Sequence, residues 1–190
     1  LAPIASLAHS GSELMRRGQH QRLEEIFGTI EERARHLEGF IRDYARFAKL
    51  PAPRLEPIAW PAFCERLRSQ IDFALDGPLP DKAARLDAAQ LEQALLNLLK
   101  NAHESGSAPE HVSLRVRRLP DALRIDVSDR GSGMNDAVLA NALVPFYSTK
   151  RSGTGLGLAL AREIAEAHGG RIALSNRNGG GLSVTLVIPE

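Results

Sequence analysis

The chain has 190 residues, 43% of them hydrophobic and 25% charged, which is enough apolar material for a core and excludes wholesale disorder. Lys and Arg number 24 against 23 Asp and Glu, a formal charge of +1 that gives no sign of a nucleic-acid partner. The one cysteine, Cys64, excludes an internal disulfide and a cysteine-built zinc site, and it suits a reducing compartment.

The chain opens Leu1-Ala2-Pro3-Ile4, without an initiator Met or a signal-peptide pattern, and reads as part of something longer. Residues 1–49 hold a single proline, Pro3, and predict two helical stretches separated near Arg17-Gly18-Gln19. In the second stretch, Leu23, Ile26, Phe27, Ile30, Ala34, Leu37, Ile41, Tyr44 and Ala48 recur at steps of three and four and form one apolar stripe. Glu31–Arg35 and Glu38–Arg42 support the opposite face at i,i+4. Two thin helices cannot bury so long a stripe. It requires another surface, and a two-chain helical bundle is favoured over packing on the chain's own globular part.

Leu50-Pro51-Ala52-Pro53 stops the helix and marks a boundary between residues 1–50 and 51–190. Beyond it, helices and strands alternate. Residues 61–75 read as a helix. Asp87 is a fitting N-cap for a strong helix over 88–104, with Leu91, Ala94, Leu95, Leu98, Leu99 and Ala102 on its apolar side. Residues 112–119 and 123–128 alternate like adjacent antiparallel strands. Residues 156–168 form a helix stopped by Gly169-Gly170, and 171–175 with 182–188 form a last hairpin around Asn178-Gly179-Gly180-Gly181. The pattern is an α+β fold. No apolar run approaches the ~20 residues that span a bilayer.

Three clusters carry chemistry. Gln93, Asn97 and Asn101 recur every four residues along the strong helix, within Gln93-Ala-Leu-Leu-Asn97-Leu-Leu-Lys100-Asn101-Ala-His103-Glu104. They are either a solvent-touched edge or a row of neutral oxygens facing a ligand or hydrated cation. Mg²⁺ keeps several waters, so one amide oxygen plus phosphates would hold it. Asp129-Arg130-Gly131-Ser132-Gly133-Met134 follows a strand directly and is either a plain turn or a buried acceptor beside closely approachable backbone. Gly153-Thr154-Gly155-Leu156-Gly157-Leu158 opens a helix, where free N–H groups and the dipole favour an anion. It lacks the Gly-Lys-Ser/Thr of a P-loop and the preceding strand of a dinucleotide fingerprint. Pro145-Phe146-Tyr147-Ser148-Thr149-Lys150-Arg151 places aromatics and cations just before it.

In their order and spacing these segments resemble the ATP-binding domain of sensor histidine kinases, in the wider family shared with gyrase, the Hsp90 chaperones and the MutL repair proteins. Asn97 to Ala102 matches the asparagine box, Asp129 to Gly133 the first glycine box, Pro145 to Lys150 the phenylalanine box, and Gly153 to Leu158 the second glycine box. The resemblance covers residues 55–190. Residues 1–50 resemble the dimerisation and histidine-phosphotransfer hairpin, and Pro-Phe-Tyr-Ser-Thr-Lys looks most like the nitrogen-regulation subtype. The implied fold is a helical hairpin, forming a dimeric four-helix bundle, followed by an α/β sandwich.

The resemblance implies that Asn101 binds Mg²⁺ with Asn97 near the phosphates of ATP. Asp129 accepts from the adenine amine, and Gly131 and Gly133 let the base approach. Gly153, Thr154, Gly155, Leu156 and Gly157 surround the triphosphate, Phe146 anchors a short lid, and Thr149 and Lys150 lie near the γ-phosphate. It implies a homodimer through residues 1–50, a response-regulator receiver domain as partner, and a cytoplasmic catalytic core, with any inner-membrane anchor upstream. It implies neither a nucleic-acid partner nor membrane contact by this stretch.

Two positions depart from the pattern. Glu104 stands where many such kinases have Lys or Arg, so Lys100, Lys150 or Arg151 is expected to take the phosphate-neutralising work. The family's phosphoacceptor histidine precedes a Pro-Ile that matches Pro3-Ile4, so the acceptor is expected upstream of Leu1. His9, His20, His36, His103, His111 and His168 do not match it. His103 is a pocket-lining candidate, His168 a packing or capping residue, Cys64 a small buried hydrophobe, and Trp60 a packing residue at the domain junction. The alternatives to a kinase are a gyrase- or MutL-type ATPase clamp and a non-catalytic nucleotide-binding dimerisation module. The ATPases use a glutamate where this chain has Gln93, an amide and a poor base.

Overall fold

The computed structural model describes residues 2–16, 21–150 and 153–190. The expected break at Arg17-Gly18-Gln19, together with Leu1, His20 and Arg151, lies outside them. The chain divides into two compact units, Leu1–Ala48 and Lys49–Glu190.

The first unit comprises α1 (Ala2–Arg16) and α2 (Gln21–Ala48), which pack against each other. Gly11 is the close-approach point: a Cβ there would lie 3.5 Å from the Ile26 side chain and 3.8 Å from Leu23. Leu23 is buried, whereas Phe27 and Ile41 are each 56% exposed and Tyr44 is 47% exposed. These last three residues of the expected stripe thus stand at least partly exposed in this unit.

The second unit opens with β1 (Glu56–Ile58) and α3 (Trp60–Arg68). The helix expected over 61–75 stops at Arg68, where Ser69 caps it by donating its N–H to Glu65 O and its hydroxyl to Arg66 O. The reason is in the spacing that follows. Ile71, Phe73 and Leu75 alternate with period two, and they lead into a short edge strand, β2 (Ala74–Leu75). Next come β3 (Ala84–Leu86), antiparallel to β1, and α4 (Ala88–His103). Asp87 caps α4 as expected, accepting from the N–H groups of Ala89 and Gln90 at 3.0 Å. The chain continues through β4 (Ser113–Arg118), β5 (Ala122–Ser128), a short α5 (Asp136–Asn141), α6 (Gly157–Ala167), β6 (Arg171–Asn176) and β7 (Leu182–Pro189).

The larger sheet runs β2-β4-β5-β7-β6, with β2 parallel to β4 and every other pair antiparallel. Apolar rows cross it in register: Leu114, Val127, Val184 and Leu174 form one, and Val116, Ile125, Leu186 and Ile172 the next. Helices α4 and α6 cover this face and pack on each other, burying Leu91, Leu95, Leu98, Leu99, Leu160 and Ile164. The result is an α+β fold with a mixed sheet. Trp60 packs edge-on against Phe63 at 5.9 Å in the core of this unit. Cys64 is buried beside it in sequence, and burial pushes its thiol up against the opposing pull of Arg68.

The opposite face of the sheet is polar, with one buried charge. Asp126 on β5 accepts from Arg124 at 2.9 Å, from Arg117 on β4 at 3.2 Å and from Thr185 on β7 at 2.6 Å, tying three strands together. Burial by itself would raise the carboxyl. The hydrogen bonds and the Arg124 charge overcome it and hold the group below the usual carboxylate range. A depressed folded pKa contributes stability that is fully present above the unfolded value of about 3.9 and lost as pH falls through the folded value. Asp126→Asn is expected to lower the stability of this unit at pH 7 by about 1–3 kcal/mol and to flatten the acid limb below about pH 4. Urea unfolding followed through the fluorescence of Trp60, the one tryptophan in the chain, checks it, and an unchanged profile would mean that the network is dispensable.

Candidate nucleotide-binding site

Helix α4 sets the site because its two sides differ. The leucine side is buried, and Gln93, Asn97 and Asn101 on the other side are only half-buried. The first residue of α6, Gly157, lies against this row. A Cβ on Gly157 would stand 3.6 Å from Asn101 Nδ2 and 3.7 Å from Asn97 Cβ. Leu156, ahead of it, is a buried apolar residue that offers no capping side chain to the first turn of α6. The first turn of α6 thus begins next to the two asparagines, with the Leu156 N–H ahead of it donating to Thr154 Oγ1 at 3.4 Å.

The second cluster is built around Asp129, which is 4% exposed. Its Oδ1 accepts from Gly131 N–H at 2.8 Å and from Leu182 N–H at 3.3 Å. Gly131 presses on Ser105, just past α4: a Cβ there would overlap the Ser105 hydroxyl and carbonyl oxygens. Gly133 has φ of 68°, and a Cβ would meet Asn176 Oδ1 at 2.7 Å. The β6–β7 turn closes over the cluster. Arg177 donates to Asp129 O at 2.8 Å, and Gly181 is so near Asp129 O that no side chain fits. Asn176 also pairs with both backbone groups of Met134, accepting at 2.9 Å and donating at 2.6 Å.

The third cluster is pinned at its ends. Phe146 N–H donates to Gly155 O at 3.0 Å, and a Cβ on Gly155 would meet the Phe146 carbonyl carbon at 2.5 Å. Phe146 is half exposed and has φ of 68°, the one described non-glycine residue in the left-handed region. Within the segment, Lys150 Nζ reaches Glu104 Oε2 at 2.7 Å, and Lys100 Nζ lies 4.0 Å from Oε1 of the same carboxylate. Thr149 is exposed next to Lys150.

All three clusters therefore meet the C-terminal half of α4: Gly157 at Asn97 and Asn101, Lys150 at Glu104, and Gly131 at Ser105. Ser105, Asn176 and Arg177 were not singled out in the sequence. Their contacts span 26 to 48 residues and leave no local signal. Two histidines of this unit have other partners. His103 donates to Asp72 O at 2.7 Å and anchors the loop after α3 rather than serving as a free pocket group. His168 donates from Nδ1 to Ile164 O at 2.7 Å and accepts at Nε2 from Asp87 N–H at 3.1 Å, the packing role expected of it. Among the described residues, no group of three His, Cys, Asp or Glu side chains could hold a metal ion. A hollow of about 360 Å³ between Leu119–Ala122 and Gly169–Arg171 contains none of the expected site residues.

The family of histidine kinase-, DNA gyrase B-, and HSP90-like ATPases matches residues 86–190. The chain belongs to this family. Its ATP-binding fold accounts for the α+β architecture and for ATP as the ligand. The C4-dicarboxylate transport sensor protein DctS of Rhodobacter capsulatus is 33% identical over 210 aligned positions, covering 100% of this chain and 32% of DctS. The nitrogen regulation protein NtrY of Azorhizobium caulinodans is 31% identical over 194 positions, covering 92% of this chain and 25% of NtrY. The chain thus spans a third or less of these relatives. Among solved structures, the catalytic domain of the histidine kinase ThkA is 25% identical with a TM-score of 0.64, covering 72% of this chain and 95% of that one. ThkA in complex with the response regulator TrrA shares the fold at 21% identity and a TM-score of 0.72, covering 99% of this chain and 59% of that one. The chain is thus similar to the catalytic cores of sensor histidine kinases. Among the described residues, no helix is long and apolar enough to cross a membrane.

Gly131→Ala forces a Cβ into Ser105 and is expected to lower the urea midpoint reported by Trp60 by an amount equivalent to about 1–3 kcal/mol. An unchanged midpoint would mean that the Asp129 loop is not seated on the end of α4.

Proposed function

We propose that the chain is the Mg-ATP-binding core of a two-component sensor histidine kinase, which transfers the γ-phosphate of ATP to a histidine and then to an aspartate on a response regulator. The observation that supports this reading is that the start of α6 meets the amide row of α4 at Asn97 and Asn101, while the loop that carries the buried Asp129 meets Ser105 just past the end of α4.

Each group has a role that its chemistry supports. The Oδ1 atom of Asp129 is held by backbone N–H groups, and its other carboxylate oxygen accepts from the exocyclic amine of adenine. Gly131 and Gly133 let the loop close against Ser105 and Asn176, which holds the backbone beside Asp129 where the base approaches. The first turn of α6, with Gly153, Thr154, Gly155, Leu156 and Gly157, supplies N–H groups and the positive end of a dipole to the phosphates. Asn101, with Asn97 beside it, offers an amide oxygen to Mg²⁺. One protein oxygen fits an ion that completes its octahedron with water and phosphate, and the ion supplies charge neutralisation. Lys150 faces the γ-phosphate. None of these residues needs to form a covalent bond, since phosphoryl transfer relies on positioning and electrostatics.

We assign residues 1–50 to a homodimeric four-helix bundle that also docks the receiver domain, and residues 51–190 to catalysis. The exposed Phe27, Ile41 and Tyr44 support the bundle. Sensor kinases among the relatives, and the response regulator bound to ThkA, support the kinase reading over an ATPase clamp. So does Gln93, whose amide cannot activate water as a base.

Calorimetry of the 190-residue chain is expected to show Mg-dependent binding of ATP and ADP. Asp129→Asn is expected to weaken both by about ten- to a hundred-fold, the worth of a charged hydrogen bond of about 1.5–3 kcal/mol. Equal affinities would remove Asp129 from the adenine site. Ile30→Asp introduces a charge into the α2 stripe. Sedimentation is expected to show a dimer converted to monomers, with Trp60 fluorescence unchanged, whereas an unsubstituted chain that stays monomeric at high concentration would sink the bundle.

A further inference from the structure

Glu104 is the C-cap residue of α4. A carboxylate there stands at the negative end of the helix dipole, where cations are favoured and anions are not. Two lysines compensate it. Lys100, one turn back on α4, lies 4.0 Å from Oε1, and Lys150, 46 residues away in sequence, donates to Oε2 at 2.7 Å.

Glu104 follows Gln93 by 11 residues and Asn101 by three. At about 100° per residue it falls within about 20° of Gln93 around the helix, on the same face as the amide row. The ammonium of Lys150 is therefore held one turn beyond the point where Gly157 meets Asn101. A terminal phosphate seated along that row and the carboxylate of Glu104 compete for the same cation. A diphosphate ends one phosphoryl group short and does not enter the competition.

We propose that Glu104 sets the preference of this site between nucleoside triphosphates and diphosphates, by holding Lys150 in competition with the terminal phosphate. The proposal rests on the nucleotide-site reading above and goes beyond it in assigning a role to the one acidic side chain on that face. The exchange is feasible because the pair is 38% and 42% exposed, the setting in which ion pairs are weak. Lys100 stays beside Glu104 when Lys150 leaves, so the carboxylate is not stranded at the helix end.

Calorimetry of the whole chain at low ionic strength tests this, with ADP and with a non-hydrolysable ATP analogue, each in Mg²⁺. Glu104→Gln removes the charge and keeps the shape. It is expected to tighten the analogue about two- to five-fold, the range of an exposed ion pair, and to leave ADP unchanged. In a Lys150→Met background the same substitution is expected to change neither affinity. Equal tightening of ADP and analogue, no tightening of either, or a gain that survives Lys150→Met in full would overturn the role of Glu104 and leave the site reading standing. An unsubstituted chain that binds neither nucleotide would overturn both.

Discussion

Helix α4 is under two demands that pull its sequence in different directions. It must bury Leu91, Leu95, Leu98 and Leu99 against α6 and the sheet, and it must keep three amides and a carboxylate clear of that core. Four-residue spacing satisfies both, because polar residues so placed drift slowly around the helix and stay on the unburied side. The cost of seating those three amides in an apolar layer helps to define the rotation of α4 about its axis, and the amide that α4 does bury, Gln90, donates to Pro51 O at 2.9 Å. Everything that touches its polar side then inherits that orientation. The first turn of α6 and the loop after β5 both meet this end of α4, and the loop is also tied to the β6–β7 turn through Asn176 and Arg177.

The carboxylate of Asp129 shows how a functional side chain is aimed without neighbours of its own in sequence. It stands just past the end of β5, the central strand of the sheet, and β7 takes up its backbone through Asp129 N–H to Leu182 O at 3.0 Å. The turn before β7 carries three successive glycines in the left-handed region, Gly179, Gly180 and Gly181. At Gly181 the requirement is absolute, since the Asp129 carbonyl occupies the space of a side chain. The final hairpin is thus part of the adenine site as we assign it, although it supplies no polar side chain to the base.

What could be read from the sequence divides along the range of the interactions. Asp87 as the N-cap of α4, the amide row and the paired strands β4 and β5 rest on spacing within about 15 residues, and spacing is visible in a sequence. The ordering of the glycine boxes was legible through resemblance. Residues 61–75 misled because the apolar periodicity changes from three-and-four to two after Arg68, and a window centred on the helix averages over the change. The two-residue strand β2 and the three-residue strands β1 and β3 are too short to carry a pattern at all. Ser105, Asn176 and Arg177 were missed for a different reason. They are ordinary residues made specific by chain segments that meet only in the folded state. Glu104 was noticed as a departure, but its partner Lys150 could not be identified without the fold.

The two ends of α4 are held by different kinds of chemistry, and the difference matches what each end has to do. At the start, Asp87 accepts from Ala89, Gln90 and Arg54 N–H groups, and its own N–H is taken by His168 at the end of α6. These are short-range bonds between groups fixed to backbone, and several must break together before either helix can rotate. Burial works against the Asp87 charge, and the N–H donors of Gln90, Arg54 and Ala89 outweigh it and keep the carboxyl below its usual range. At the far end, Glu104 is held by long lysine side chains across partly exposed ion pairs. Such contacts are individually worth about 0–1 kcal/mol and can be exchanged for another anion without loosening the helix. A site that must keep its geometry while its ligand gains and loses a phosphate needs both: a frame fixed where no ligand competes, and replaceable charges where one does.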